Sequence, residues 1–140
     1  MISSEERAYV AALLDGEGSI NLQTNHANNA NRSTSCILKV RITNTYRPVL
    51  DWLYGIVGGH LYTVKKYSSR NKQAWSWEIS GQKAVEFLTI VYPFLRIKKA
   101  QAETAFMFGE TLKHQPGKLS DGICFVRRCL QKRLSELNHG

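Results

Sequence analysis

Residues 6–23, ERAYVAALLDGEGSINLQ, run like an amphipathic helix, stop at Asp15-Gly16-Glu17-Gly18 and resume in a strand pattern. Ser3 followed by Glu6 reads as a capping box that opens the helix, and glycine is expected to end it near Asp15. Ala8, Ala12 and Gly16 fall at i, i+4 and i+8, so they line one face. Such a stripe of small residues lets a second helix backbone come very close. Bulky Val10, Leu13 and Leu14 occupy the other side, which suits packing on the chain's own sheet. The helix therefore has two faces to bury. The motif occurs once in the chain, so the expected partner is the same helix of a second subunit. A two-fold homodimer follows, with Ala8, Ala12, Asp15 and Gly16 at its interface.

A two-fold axis between two such helices brings Gly16-Glu17-Gly18 of each chain together. Two Glu17 carboxylates in close proximity repel and do not both ionise cheaply. A hard divalent cation relieves this, and Mg²⁺ takes carboxylate and backbone oxygens while keeping several waters. The glycines let the backbone approach the ion and turn sharply into the strand. Asp15 is better suited to accept backbone N–H groups as a cap in the packed pair. Alone, Asp-Gly-Glu-Gly is also compatible with a plain turn.

Beyond the helix, SINLQTNHA alternates, with Ile20 and Leu22 on one side and Asn21, Gln23 and Asn25 on the other. After a polar turn, CILKVRITN places Cys36, Leu38, Val40 and Ile42 on one face and Ile37, Lys39, Arg41 and Thr43 on the other. This predicts a hairpin with one apolar and one polar, basic face. Pro48 starts a short helix that Gly58-Gly59 terminates. A second hairpin pairs HLYTVKKY with AWSWEIS across SSRNKQ, and Trp75, Trp77 and Ile79 alternate toward a core. GQKAVEFLTIVYPFL is helical up to the residue before Pro93. RIKKAQAETAFMFGETLKH forms another helix, QPGKLSDG breaks it, and the last helix carries a stripe of Ile123, Val126, Leu130 and Leu134 or Leu137. The order αββαββα plus C-terminal helices predicts an α+β fold, a four-stranded antiparallel sheet with helices on one face. No long linker or low-complexity stretch interrupts it, so residues 1–140 are expected to form one domain.

The formal net charge of +8 and a pI near 9.6 favour a polyanionic partner. Nucleic acid comes first, because no amphipathic helix has the Lys/Arg-rich polar face of a membrane binder. No apolar run spans a bilayer, and MISSEERAYV lacks an apolar signal segment. An intracellular, nucleic-acid-containing compartment is the expected location. Cys36, Cys124 and Cys129 lack CxxC spacing and read as buried thiols rather than disulfides or a zinc site. His26, His60, His114 and His139 form no HxxxH pair. Asn31-Arg32-Ser33 matches a glycosylation acceptor by chance in a chain without a secretion signal.

VAALLDGEG, residues 10–18, resembles the nine-residue motif that names the LAGLIDADG homing endonucleases. RITNT resembles that family's second strand, and YPFLRIKKAQAE resembles its proline-leucine-lysine segment. The three motifs stand in the family's order, and a single helix motif resembles the homodimeric branch. The resemblance implies a saddle-shaped sheet on double-stranded DNA and a metal-dependent double-strand break with 3′ overhangs at a long, near-palindromic target. It makes Glu17 the metal-binding acid, where many members have Asp, and the Gly16 carbonyl a further ligand for Mg²⁺. It implies that Asn44 orders solvent and that Lys98 assists at the scissile phosphate. Lys99 is the alternative lysine, and Arg47 a weaker candidate for a phosphate or water contact. From the residues alone, Asn44 also reads as a cap and Lys98 as a solvated side chain.

In such a dimer the polar hairpin faces would read the major groove. Asn21, Gln23, Asn25, Lys39 and Arg41 form the first set; Asn and Gln suit adenine, and Arg suits guanine. His60, Tyr62 and Lys66 extend it, while Arg70 and Lys72 at the turn suit phosphates. Rival readings are a non-cleaving DNA-binding regulator or an RNA-binding splicing helper of the same fold, and a basic structural protein of a ribonucleoprotein.

Overall fold

The computed structural model describes residues 2–25, 35–66, 70–113 and 121–139, without the side chains of residues 24, 25, 35 and 121. The Asn31-Arg32-Ser33 match, His26, His114, the first hairpin's turn and most of the expected break at 115–122 lie outside them, as does part of SSRNKQ.

The first helix, α1 (Ser4–Glu17), is opened by the predicted capping box, with both reciprocal Ser3–Glu6 bonds formed. It buries Val10, Ala11 and Leu14. It does not end at Asp15: Gly16 and Glu17 complete the last turn, and the Gly18 N–H donates to the Leu14 carbonyl. β1 (Gly18–Asn25) starts at once. Gly18 is needed there for space, because a Cβ would lie 2.5 Å from Leu14 Cδ1 and 2.9 Å from the Leu14 carbonyl oxygen.

β2 (Ser35–Asn44), β3 (His60–Thr63) and β4 (Trp75–Ser80) complete one antiparallel sheet in the order β1-β2-β4-β3. Period-two alternation decides its faces. Ile20, Leu22, Leu38, Val40, Ile42, Trp77 and Ile79 are buried on one side. Against them pack α1, α2 (Arg47–Val57) through Leu50 and Leu53, and α3 (Gly81–Val91) through Ala84, Phe87, Leu88 and Val91. This is the expected α+β arrangement. β3 is shorter than HLYTVKKY suggested; ladder pairing stops at Thr63, and beyond it the Val64 N–H donates to the Ala74 carbonyl. At its start, Gly58 and Gly59 adopt φ of +87° and +95°, and Trp77 Nε1 donates to the Gly58 carbonyl at 2.6 Å.

A 3₁₀ turn (Tyr92–Phe94) leads to α4 (Lys99–Thr111), which begins three residues later than RIKKAQ suggested. α5 (Asp121–His139) buries Leu130 and Leu134, but Val126 is exposed and Arg127 is buried in its place. The guanidinium fits there because Thr111 Oγ1 and the Thr111 carbonyl at the end of α4 accept its hydrogen bonds, with Phe108 beneath it. α5 also covers the outer edge of β1: Asn138 Nδ2 donates to the Ile20 carbonyl and Gln131 Nε2 to the Leu22 carbonyl. An edge strand's free carbonyls would otherwise invite another strand. Of the three thiols only Cys36 is buried; Cys124 is half-buried and Cys129 exposed.

Replacement Gly18→Ala is expected to destabilise the protein by about 1–3 kcal/mol through forced displacement of Leu14 and the adjacent backbone. Urea denaturation of the two proteins measures it.

Candidate functional site

Two surfaces collect the candidate residues, and they meet where α1 runs into β1. The first is the end of α1. Glu17 is its last helical residue and is exposed, with no hydrogen-bond or ion-pair partner among the described residues. Gly16 beside it is exposed too, with nothing within 4 Å of where a Cβ would stand. Asp15 is half-buried, and its two carboxylate oxygens accept the backbone N–H groups of Arg96 (2.9 Å) and Lys98 (3.0 Å). Asp15 does accept N–H groups, but from the turn before α4 of its own chain rather than from a packed partner helix. That turn is non-helical and leaves those donors free to face α1. Lys98 Nζ returns to α1, donating to the Asp15 carbonyl at 2.9 Å. A cation at a helix C-terminus is favoured by the exposed carbonyls there. Lys99 points elsewhere, its ammonium 5.0 Å from the centre of the Tyr92 ring. Lys98, not Lys99, is thus the lysine joined to the last turn of α1.

Asn44 ends β2. Since Gly18 pairs with Ile42, Asn44 lies at the same end of the hairpin as Glu17. Its Oδ1 accepts the Tyr46 N–H at 2.8 Å, and it lines a cleft with Tyr9, Leu13 and Trp52 between α1 and α2. Asn44 therefore makes the strand-to-helix turn contact, and the structure gives it no bond to Glu17 or Lys98. Arg47 stays beside this end, where Trp75 is the cross-strand partner of Asn44. It pairs with Asp51 at 3.5 Å and lies 5.8 Å from the centre of the Trp75 ring. Ala8 is half-buried and Ala12 exposed, on a shallow cleft shared with Phe94 and Arg96.

The second surface is the open side of the sheet. Cross-strand register aligns Ser19, Arg41, Glu78 and His60 in one row, Asn21, Lys39 and Ser80 in the next, and Thr43, Ser76 and Tyr62 in a third. Asn21 and Gln23 are exposed, and so are His60 and Tyr62. Asn25 belongs to β1, its side chain outside the described residues. Lys66 lies past the end of β3, with Arg70 and Lys72 in the following turn, all exposed.

Glu78, which sequence reasoning missed, sits in the middle of this face. Its Oε2 accepts from Arg41 Nε (3.1 Å) and Nη2 (2.9 Å), and its Oε1 lies 3.4 Å from Lys39 Nζ. Tyr62 Oη donates to it at 3.3 Å. Partial burial pushes the Glu78 carboxyl up, but the hydrogen bond from Arg41 and the charges of Lys39 and Arg41 outweigh this and hold it below the ordinary carboxylate range. The alternation that turns Trp77 and Ile79 inward places Glu78 outward, so the signal was present in WSWEIS.

No family model matches the sequence, and no curated protein is detectably similar to it. Solved structures are similar in fold. The homing endonuclease I-CvuI, in complex with its target in the presence of calcium, superposes with a TM-score of 0.81 at 18% identity, over 97% of this chain and 83% of that one. I-TnaI, also a homing endonuclease, gives 0.67 at 17%, over 98% and 99%. The LAGLIDADG homing endonuclease I-SmaMI, bound to cleaved DNA, gives 0.72 at 14%, over 93% of this chain and 44% of that one. This chain has the LAGLIDADG homing endonuclease fold. Within it, the family motif expected at residues 10–18 covers the last turns of α1 and the first residue of β1. The chain spans less than half the length of I-SmaMI.

Among the described residues no group of three His, Cys, Asp or Glu side chains is placed to hold a metal ion, and no helix is long and apolar enough to cross a membrane. Asp15 is committed to backbone donors, which leaves Glu17 as the free carboxylate at this end of α1.

Replacement Asp15→Ala leaves two N–H groups without their acceptor and is expected to cost about 1–2 kcal/mol, at the lower end because Arg96 reaches water. Denaturant titration checks the loss, and Lys98 should become more reactive toward an amine-modifying reagent as its tether loosens.

Proposed function

We propose that the chain is a site-specific, Mg²⁺-dependent DNA endonuclease that works as a homodimer. The observation carrying this reading is the exposed, unpartnered Glu17 on the same turn of α1 that Lys98 binds, at the foot of a basic sheet face. The solved proteins of this fold named above support it, since they are homing endonucleases and two of them were bound to target or cleaved DNA.

The donor chemistry fits a divalent cation as half a site: an uncommitted carboxylate on Glu17, with the Gly16 carbonyl beside it, are hard oxygen donors. One acid per chain is too few, which agrees with the absence of a three-residue group among the described residues. A second copy supplying its own Glu17, together with DNA phosphates, completes the set. The exposed Ala12 and Gly16 and half-buried Ala8 provide the close-approach face for that copy. When bound, the cation would supply an acidified water and charge relief at the phosphate.

The chain's own residues do the rest. Lys98, fixed by Asp15 through both its backbone and its ammonium, adds positive charge where the phosphate becomes more anionic. Asn44, at the same end of the hairpin, orders solvent with the amide atoms its turn contact leaves free. Water adds to phosphorus as the bond to a sugar oxygen breaks, and that oxygen takes up a proton. The polar rows from Asn21 to Tyr62 hold the duplex by its major groove, while Lys66, Arg70 and Lys72 meet phosphates.

Digestion of a random DNA library with and without Mg²⁺ tests the reading: metal-dependent double-strand cuts at one rare site are expected. Glu17→Gln should lower the cutting rate on the order of a thousandfold or more and leave binding of that site nearly unchanged. Binding without any cleavage would identify a regulator of the same fold, and selective binding of structured RNA a splicing helper. In sedimentation, the protein is expected as a dimer and Ala12→Glu as a monomer.

A further inference from the structure

Among the described strand residues of the open sheet face, Glu78 is the one acid in a surface otherwise suited to polyanions. An acid there weakens attraction to phosphates, so its position needs a reason of its own. The geometry supplies one. Both bonds from Arg41 leave from a single edge of the guanidinium, the edge formed by Nε and Nη2. The outer edge, Nη1 with the second hydrogen of Nη2, has no partner among the described residues. That edge presents two parallel donors, the pair that matches O6 and N7 of guanine. The carboxylate is the floor of the arrangement and the guanidinium its upper layer, since 15% of the Glu78 side chain is exposed against 40% of Arg41. Lys39 on one side and Tyr62 on the other hold the carboxylate itself, so Glu78 is fixed before it fixes Arg41.

We propose that Glu78 is a positioning residue for target specificity: it locks Arg41 with its outer edge presented to one guanine per subunit in the major groove. The inference rests on the DNA-binding reading above. An arginine without this brace divides its time among base edges, phosphates and water, and ordering it on binding costs conformational entropy. Braced, it offers one geometry, and the paired carboxylate keeps the guanidinium compensated once DNA expels water from the face. Reading of cytosine by Glu78 itself is less suited to the observed contacts, because both carboxylate oxygens already face cationic partners.

The test is selection from a library of randomised DNA duplexes by the full chain, its Arg41→Ala, Glu78→Ala and Glu78→Gln variants, in Ca²⁺ to hold products uncleaved. The original chain should enrich one guanine per half-site by about tenfold over the other bases. Arg41→Ala and Glu78→Ala should both lose that preference at the same base pair and keep the rest of the site. Glu78→Gln, which retains an acceptor without the charge, should restore part of it. Three results would overturn the inference: a guanine preference that survives Glu78→Ala while all DNA binds more tightly, loss at a different base pair, or no base preference altered by either alanine. If the original chain selects no sequence at all, the DNA-binding reading falls with it; if it selects a site that Glu78→Ala leaves intact, only the role of Glu78 falls.

Discussion

Asp15 joins parts of the chain 81 and 83 residues apart, and the arrangement of the candidate centre depends on that link. One carboxylate satisfies two N–H groups that the turn before α4 cannot pair by itself, and the same turn delivers Lys98 to the end of α1. The acid next to it in function, Glu17, is left with no such duty. A single Asp-Gly-Glu run thus separates two tasks that acids usually share: one carboxylate ties the chain together, the other faces outward.

The sheet organises the second surface through plain alternation. Leu38, Val40 and Ile42 must face the helices, so Lys39, Arg41 and Thr43 must face away. That much was legible in residues 36–43, as were the element order, the capping box at Ser3 and Glu6, and the inward turn of Trp77 and Ile79. The strand order was not. It takes β2 lying beside β4, rather than each hairpin standing alone, to bring Arg41 opposite Glu78. No local pattern states which edges of two hairpins meet.

Other departures have local causes. Gly16 reads as a stop, yet glycine is tolerated in a final helical turn, and the stop is Gly18, where a side chain would strike Leu14. Residues 96–98 carry helix-compatible side chains but are held out of α4 by Asp15, a partner far away in sequence. Arg127 takes a core position on α5 because acceptors at the end of α4 await it, while Val126 by apolar character alone had the better claim. The two lysines at 98 and 99 differ only by the helical step that sends one to the Asp15 carbonyl and the other to the Tyr92 ring.

The passage from α1 to β1 leaves no spare residue: Glu17 closes the helix and Gly18 opens the strand. A hinge needs backbone of its own to absorb a change of angle, and this junction has none, with Gly18 wedged against Leu14 on one side and Arg41 on the other. Whatever tilts the strand tilts the acid through the same arc. Under the proposed endonuclease activity, a poor fit at the periphery would then reach the chemical centre undamped, so that discrimination would be exercised in the rate as well as in the grip.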